Sequence, residues 1–139
     1  MSDWINEPED ISQYEGFVYL ITNLTNDKKY IGQKKFWNRV TRRALKGRSK
    51  AEKEKRATLK GNKRHSKRES DWRTYNGSCK ELLVDIDKGH QIKKEIIMLC
   101  KTKWDMSYYE AKLQISLDVL LRDDYYNGIV NCRLCKRKI

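Results

Sequence analysis

Between Gly16 and Gln33 two apolar runs flank a polar one. "FVYLIT" is dense in β-branched and aromatic side chains, "NLTNDKK" is polar, and "KYIGQ" returns to strand character. The pattern predicts a β-hairpin whose loop exceeds two residues, so that its turn type stays open. Past it, Phe36 and Val40 stand at i, i+4, as do Arg39 and Arg43. That spacing suits a short helix that buries the first pair and presents the second. "SCKELLVDIDKG" reads as a helix capped by Ser78, with Glu81 three residues on and Gly89 at its end. "QIKKEIIMLC" predicts a third strand. From about Trp104 to Leu121, the residues Trp104, Tyr108 or Tyr109, Leu113, Leu117 and Leu120 return at helical spacing and mark a core face, with Glu110 near its edge. Asn127 and Gly128 carry a turn signal. The expected fold class is α+β, a small three-stranded sheet flanked by helices.

Charge changes this picture in one place. Lys and Arg number 31 against 19 Asp and Glu, a net charge of +12 that points to a polyanionic partner. Between Gln33 and Arg68 there are 16 Lys and Arg against Glu52 and Glu54 alone, a local excess of 14, so the rest of the chain is slightly acidic. Gly47 and Gly61 bound a stretch whose one large aliphatic residue is Leu59, too little to fold on a core of its own. We therefore expect an acidic N-terminal extension over residues 1–15 and a single domain over 16–139 with a basic insert at about 46–68. The 139 residues suit one core.

Other classes lose ground. No stretch approaches the roughly 18 to 20 apolar residues of a bilayer span, and the acidic start lacks a signal peptide's basic and apolar regions. A cytoplasmic protein without a membrane partner is expected. Its cysteines, Cys79, Cys100, Cys132 and Cys135, are then expected to be reduced thiols. Cys132 and Cys135 have the spacing of half a zinc site, although Cys79 and Cys100 do not supply a matching second pair.

Two tyrosines, Tyr19 and Tyr30, stand on the two predicted hairpin strands where aliphatic residues would pack as well. The pair, with "YIG" at Tyr30 to Gly32, resembles the signature of the GIY-YIG nuclease family. The first half, Phe17-Val18-Tyr19, keeps its tyrosine only. "YIGQKKFW", the basic insert, "SDWRTYNGS" and "YYEAK" further resemble small phage-encoded, homing-type members. The resemblance implies a metal-dependent DNA endonuclease acting on double-stranded DNA. It implies Glu110 as the ligand of one Mg²⁺ or Mn²⁺ ion, Tyr19 as proton acceptor from the attacking water, and Tyr30 as an orienting hydroxyl. It also implies a catalytic arginine at Arg39, with Arg42, Arg43 and Lys46 as competitors, and an asparagine at Asn127, with Asn131 as competitor. A phenol with an ordinary pKa near 10 is a poor base, and neighbouring cations would have to lower it. Lys34, Lys35, Arg42, Arg43, Lys46 and Arg48 are the expected contacts to DNA phosphates. Two alternatives keep the same residues as scaffold: a non-catalytic basic nucleic-acid-binding protein and a zinc-stabilised binding module.

Overall fold

The computed structural model describes residues 2–40, 66–130 and 133–136. Arg42, Arg43, Lys46, Arg48, Asn131, Cys132 and most of the basic insert lie outside the described residues.

The hairpin forms as its pattern predicts. Strands β2 (Gly16–Asn23) and β3 (Lys29–Lys35) pair antiparallel with Tyr19 opposite Gly32 and Ile21 opposite Tyr30. β6 (Ile92–Cys100) runs antiparallel along the other side of β2. A fourth strand was not expected: β1 (Trp4–Ile5), within the supposed N-terminal extension, lies parallel to β6. The sheet order is β1-β6-β2-β3, which makes β3 an edge. Burial explains β1, because Trp4 fills the core against Phe17 and Tyr19 while its indole N–H donates to the Trp72 carbonyl at 2.5 Å. One buried indole with a bonded N–H can hold a two-residue strand that propensity would not reveal.

Side chains alternate across the sheet and give two cores. Phe17, Tyr19 and Ile21 face Phe36, Trp72 and helix α1 (Lys80–Asp87) through Leu82. Val18 and Ile31 face helix α2 (Lys103–Ser116) through Met106, together with Val119 and Tyr125 of the segment after it.

Three expected helical features differ. Residues Trp37–Val40 are strand β4, paired with β5 (Ser66–Glu69) as a separate two-stranded ribbon, so Arg39 lies opposite Lys67 and not one turn from Arg43. Phe36 alone is compatible with either state; the Trp37 indole N–H, donating to the Tyr14 carbonyl at 3.0 Å, ties this segment to the loop before β2. Helix α2 stops at Ser116 because Asp118 adopts a left-handed φ of 53°. Its buried positions are Met106, Ala111 and Gln114, while Leu117 and Leu120 are exposed. Helix α1 begins after Cys79, and Ser78 does not cap it.

Candidate active site

Tyr19 and Tyr30 project from the α1 face of the sheet, with ring centroids 6.1 Å apart. Gly32, two residues on from Tyr30, is the register partner of Tyr19. A β-carbon at Gly32 would run into the Tyr19 hydroxyl and lie 2.6 Å from its Cζ and 3.1 Å from Tyr30 Cε1. The glycine of "YIG" therefore leaves the space through which the Tyr19 ring crosses β3 toward the sheet edge.

Residues 71–78 roof this pair. Tyr75 stands edge-on to Tyr19 at 6.1 Å, and Ser78 Oγ is 3.4 Å from the Tyr30 hydroxyl. Gly77 passes with φ 91°, a conformation that suits glycine, and a β-carbon there would sit 3.4 Å from the Tyr19 hydroxyl. The roof is fastened from below by Lys94 of β6, whose buried ammonium donates to Tyr75 O at 2.7 Å and Asn76 Oδ1 at 3.2 Å and lies 4.6 Å from the Trp4 ring centroid. Burial lowers the Lys94 pKa, with Asp3 opposing the shift.

Glu110 comes from α2, the helix on the opposite face; its charge adds to the pKa shift of both tyrosines, and Gln114 ties it to the outer edge of β3. That edge carries a polar seam. Lys29 N–H donates to Asp124 O at 2.8 Å, and Tyr126 N–H donates to Lys29 O at 2.7 Å. Two residues on, the Asn127 side chain takes the place of backbone: its Oδ1 accepts from Ile31 N–H at 3.0 Å and its Nδ2 donates to Ile31 O at 2.8 Å. Gln114 Nε2 donates to the same Ile31 carbonyl at 3.1 Å and to Glu110 Oε1 at 3.2 Å. Asn127 thus holds the middle residue of "YIG", and the turn signal it carries is not used as a turn.

The electrostatics depart from expectation. Burial pushes the Tyr19 hydroxyl well above the ordinary phenol range, with Tyr75, Tyr30 and then Glu110 adding to the shift. Tyr30 is raised too, first by burial, with Ser78 opposing. Among the described residues no cation lowers the Tyr19 pKa in the manner expected of Arg39, which is exposed on the β4–β5 ribbon. Lys34 is also placed differently from a free phosphate contact: its ammonium pairs with Asp71 Oδ1 at 2.7 Å and lies 4.2 Å from the Tyr75 ring centroid. Lys35 is exposed at the end of β3.

Burial likewise raises the Glu110 carboxyl, with the Gln114 hydrogen bond opposing. A half-buried carboxylate whose described partner is a neutral amide is an under-compensated anion, and a cation would relieve it. Among the described residues no group of three or more His, Cys, Asp and Glu could hold a metal ion. A lone carboxylate donor such as Glu110 suits a hard cation that keeps water and phosphate oxygens in most of its positions. Sequence reasoning missed Tyr75, Ser78, Lys94 and Gln114. The Glu110 to Gln114 spacing of four was the one legible signal among them.

The family model described as "Putative endonuclease segE, GIY-YIG domain" matches residues 3–130. Comparison with curated proteins and with solved structures gives no match. Among the described residues no helix is long and apolar enough to cross a membrane.

Proposed function

Because the chain belongs to the segE type of GIY-YIG endonuclease domain, we propose that it hydrolyses phosphodiester bonds of double-stranded DNA with the help of one divalent cation, Mg²⁺ or Mn²⁺, held by Glu110. The observation that carries this reading is a pair of phenols packed about Gly32 with a desolvated carboxylate, Glu110, near enough to act on both electrostatically, the three drawn from three elements. Packing alone would put aliphatic residues there, since a buried carboxylate and hydroxyls cost free energy unless a ligand engages them.

Within this proposal each residue has a task. A bound cation supplies charge stabilisation at the phosphoryl oxygens and the leaving oxygen. Tyr19, in its ionised form, takes the proton of the attacking water; Tyr30, steadied by Ser78, orients the reacting oxygens. Asn127 acts through Ile31, keeping the edge of β3 in line. Arg39 is reassigned from the reaction to DNA contact. It faces Lys67 directly across the ribbon, and two like charges in that position repel unless a polyanion lies over them. Arg68, which pairs with Asn38 on the other face of the ribbon, and Lys35, both exposed, are further proposed contacts, as are Arg42, Arg43, Lys46 and Arg48. A cytoplasmic enzyme with reduced thiols fits this reading.

Incubation of supercoiled plasmid with the protein and Mg²⁺ or Mn²⁺ should produce nicked or linear DNA, and EDTA should stop it. Retention of DNA without cleavage under either metal would instead favour a non-catalytic DNA-binding protein.

A further inference from the structure

Gln114 is 5 % exposed and is one of the buried positions of α2, with Met106 and Ala111. A leucine or methionine would fill that position without burying an amide, and an amide there costs free energy unless its N–H groups are bonded. The strand does not require it, because Ile31 O already accepts from Asn127 Nδ2 at 2.8 Å. What Gln114 alone does is join two elements: one Nε2 atom donates at 3.1 Å to Ile31 O, between the residues Tyr30 and Gly32, and at 3.2 Å to Glu110 Oε1, one turn back on its own helix. An amide carries two hydrogens on that nitrogen, so both bonds can form together.

We propose that Gln114 is a positioning residue, which uses the backbone of the Tyr-Ile-Gly strand as a fixed reference and holds the Glu110 carboxylate in register with the Tyr19 and Tyr30 hydroxyls. With one oxygen of Glu110 engaged, the other is left to meet a cation in a defined direction. A carboxylate on a free side chain would have to lose rotamer freedom on each binding event. This inference rests on Glu110 being the metal ligand.

The test uses the full chain, ¹⁵N-labelled, titrated with Mg²⁺ while backbone amide shifts around residues 31 and 110 are followed. Gln114→Met keeps length and helix propensity and removes the donor. It should weaken Mg²⁺ binding about tenfold and raise the half-saturating Mg²⁺ for cleavage by a similar factor. DNA affinity in EDTA should stay unchanged. If Gln114→Met does not fold, Gln114→Asn, which withdraws the amide by one methylene, should show the same loss. Glu110→Gln, measured alongside, separates the two readings. Mg²⁺-dependent shifts that survive in Glu110→Gln overturn the metal assignment and this inference with it. If Glu110→Gln abolishes them while the Gln114 variant binds Mg²⁺ like the parent, the positioning role of Gln114 alone is overturned.

Discussion

Tyr19 and Gly32 face each other across β2 and β3, and the tyrosine ring occupies the volume that a side chain at residue 32 would take. Gly32→Ala should therefore push the Tyr19 ring aside. Overpacking of this kind costs about 1–3 kcal/mol, and cleavage should fall further than stability does, because the displaced hydroxyl is a reactant. Thermal unfolding and cleavage rates on one preparation check this; a variant that unfolds and cuts like the parent would remove Gly32 from the site.

Glu110→Gln should leave DNA binding intact and reduce cleavage by several orders of magnitude. Its effect on stability has a sign that follows from burial. The folded state raises the Glu110 pKa, so it binds a proton more tightly than the unfolded chain does. The resulting stabilisation is full below the ordinary carboxylate range and is lost as pH rises through the folded value. At pH 7 in EDTA the charged side chain is a burden, and the glutamine variant should be the more stable. Denaturant melts at pH 4 and pH 7 read the difference. Equal stability at pH 7 would mean that the carboxylate is solvated.

A raised phenol pKa constrains the rate profile. If Tyr19 accepts the proton, the reactive fraction is its small ionised population, which grows about tenfold per pH unit below the pKa. Log kcat/KM should climb with unit slope from pH 6 to 9 without a plateau, and Tyr19→Phe should lose most of the activity throughout. A plateau near pH 7 in the parent points to a different proton acceptor.

Lys94 reaches the site only through the roof it holds. In Lys94→Met the Tyr75 carbonyl loses its ammonium partner, and the roof over Tyr19 should loosen. Amide exchange of residues 75–78 should quicken and cleavage should drop, with DNA affinity unchanged. Unaltered exchange would show that the other contacts suffice.

Neutralising Arg39, Lys67 and Arg68 together should weaken DNA binding for all sequences. It should also flatten the slope of log affinity against log salt by up to about 0.9 per phosphate contact removed. The same slope in parent and variant would take the ribbon out of the interface.

The chain's own pattern was enough to reveal the hairpin, the third long strand, both helices and the tyrosine pair with "YIG", because these depend on side-chain period and on residues adjacent in sequence. Glu110 was legible as a carboxylate beside an apolar helical face. The β4 segment was not, since Phe36, Arg39, Val40 and Arg43 suit a helix equally well, and pairing with residues 66–69, more than 25 positions on, decided the matter. The Trp4 strand and the bonds of Asn127 and Gln114 to Ile31 also join parts of the chain about 80 to 100 residues apart, and the Lys94 anchor reaches back 19 residues to Tyr75. No local spacing encodes such contacts. The tyrosine pKa values belong to the same class: the sequence determined that phenols would stand on adjacent strands, and only tertiary packing decided that burial would raise them.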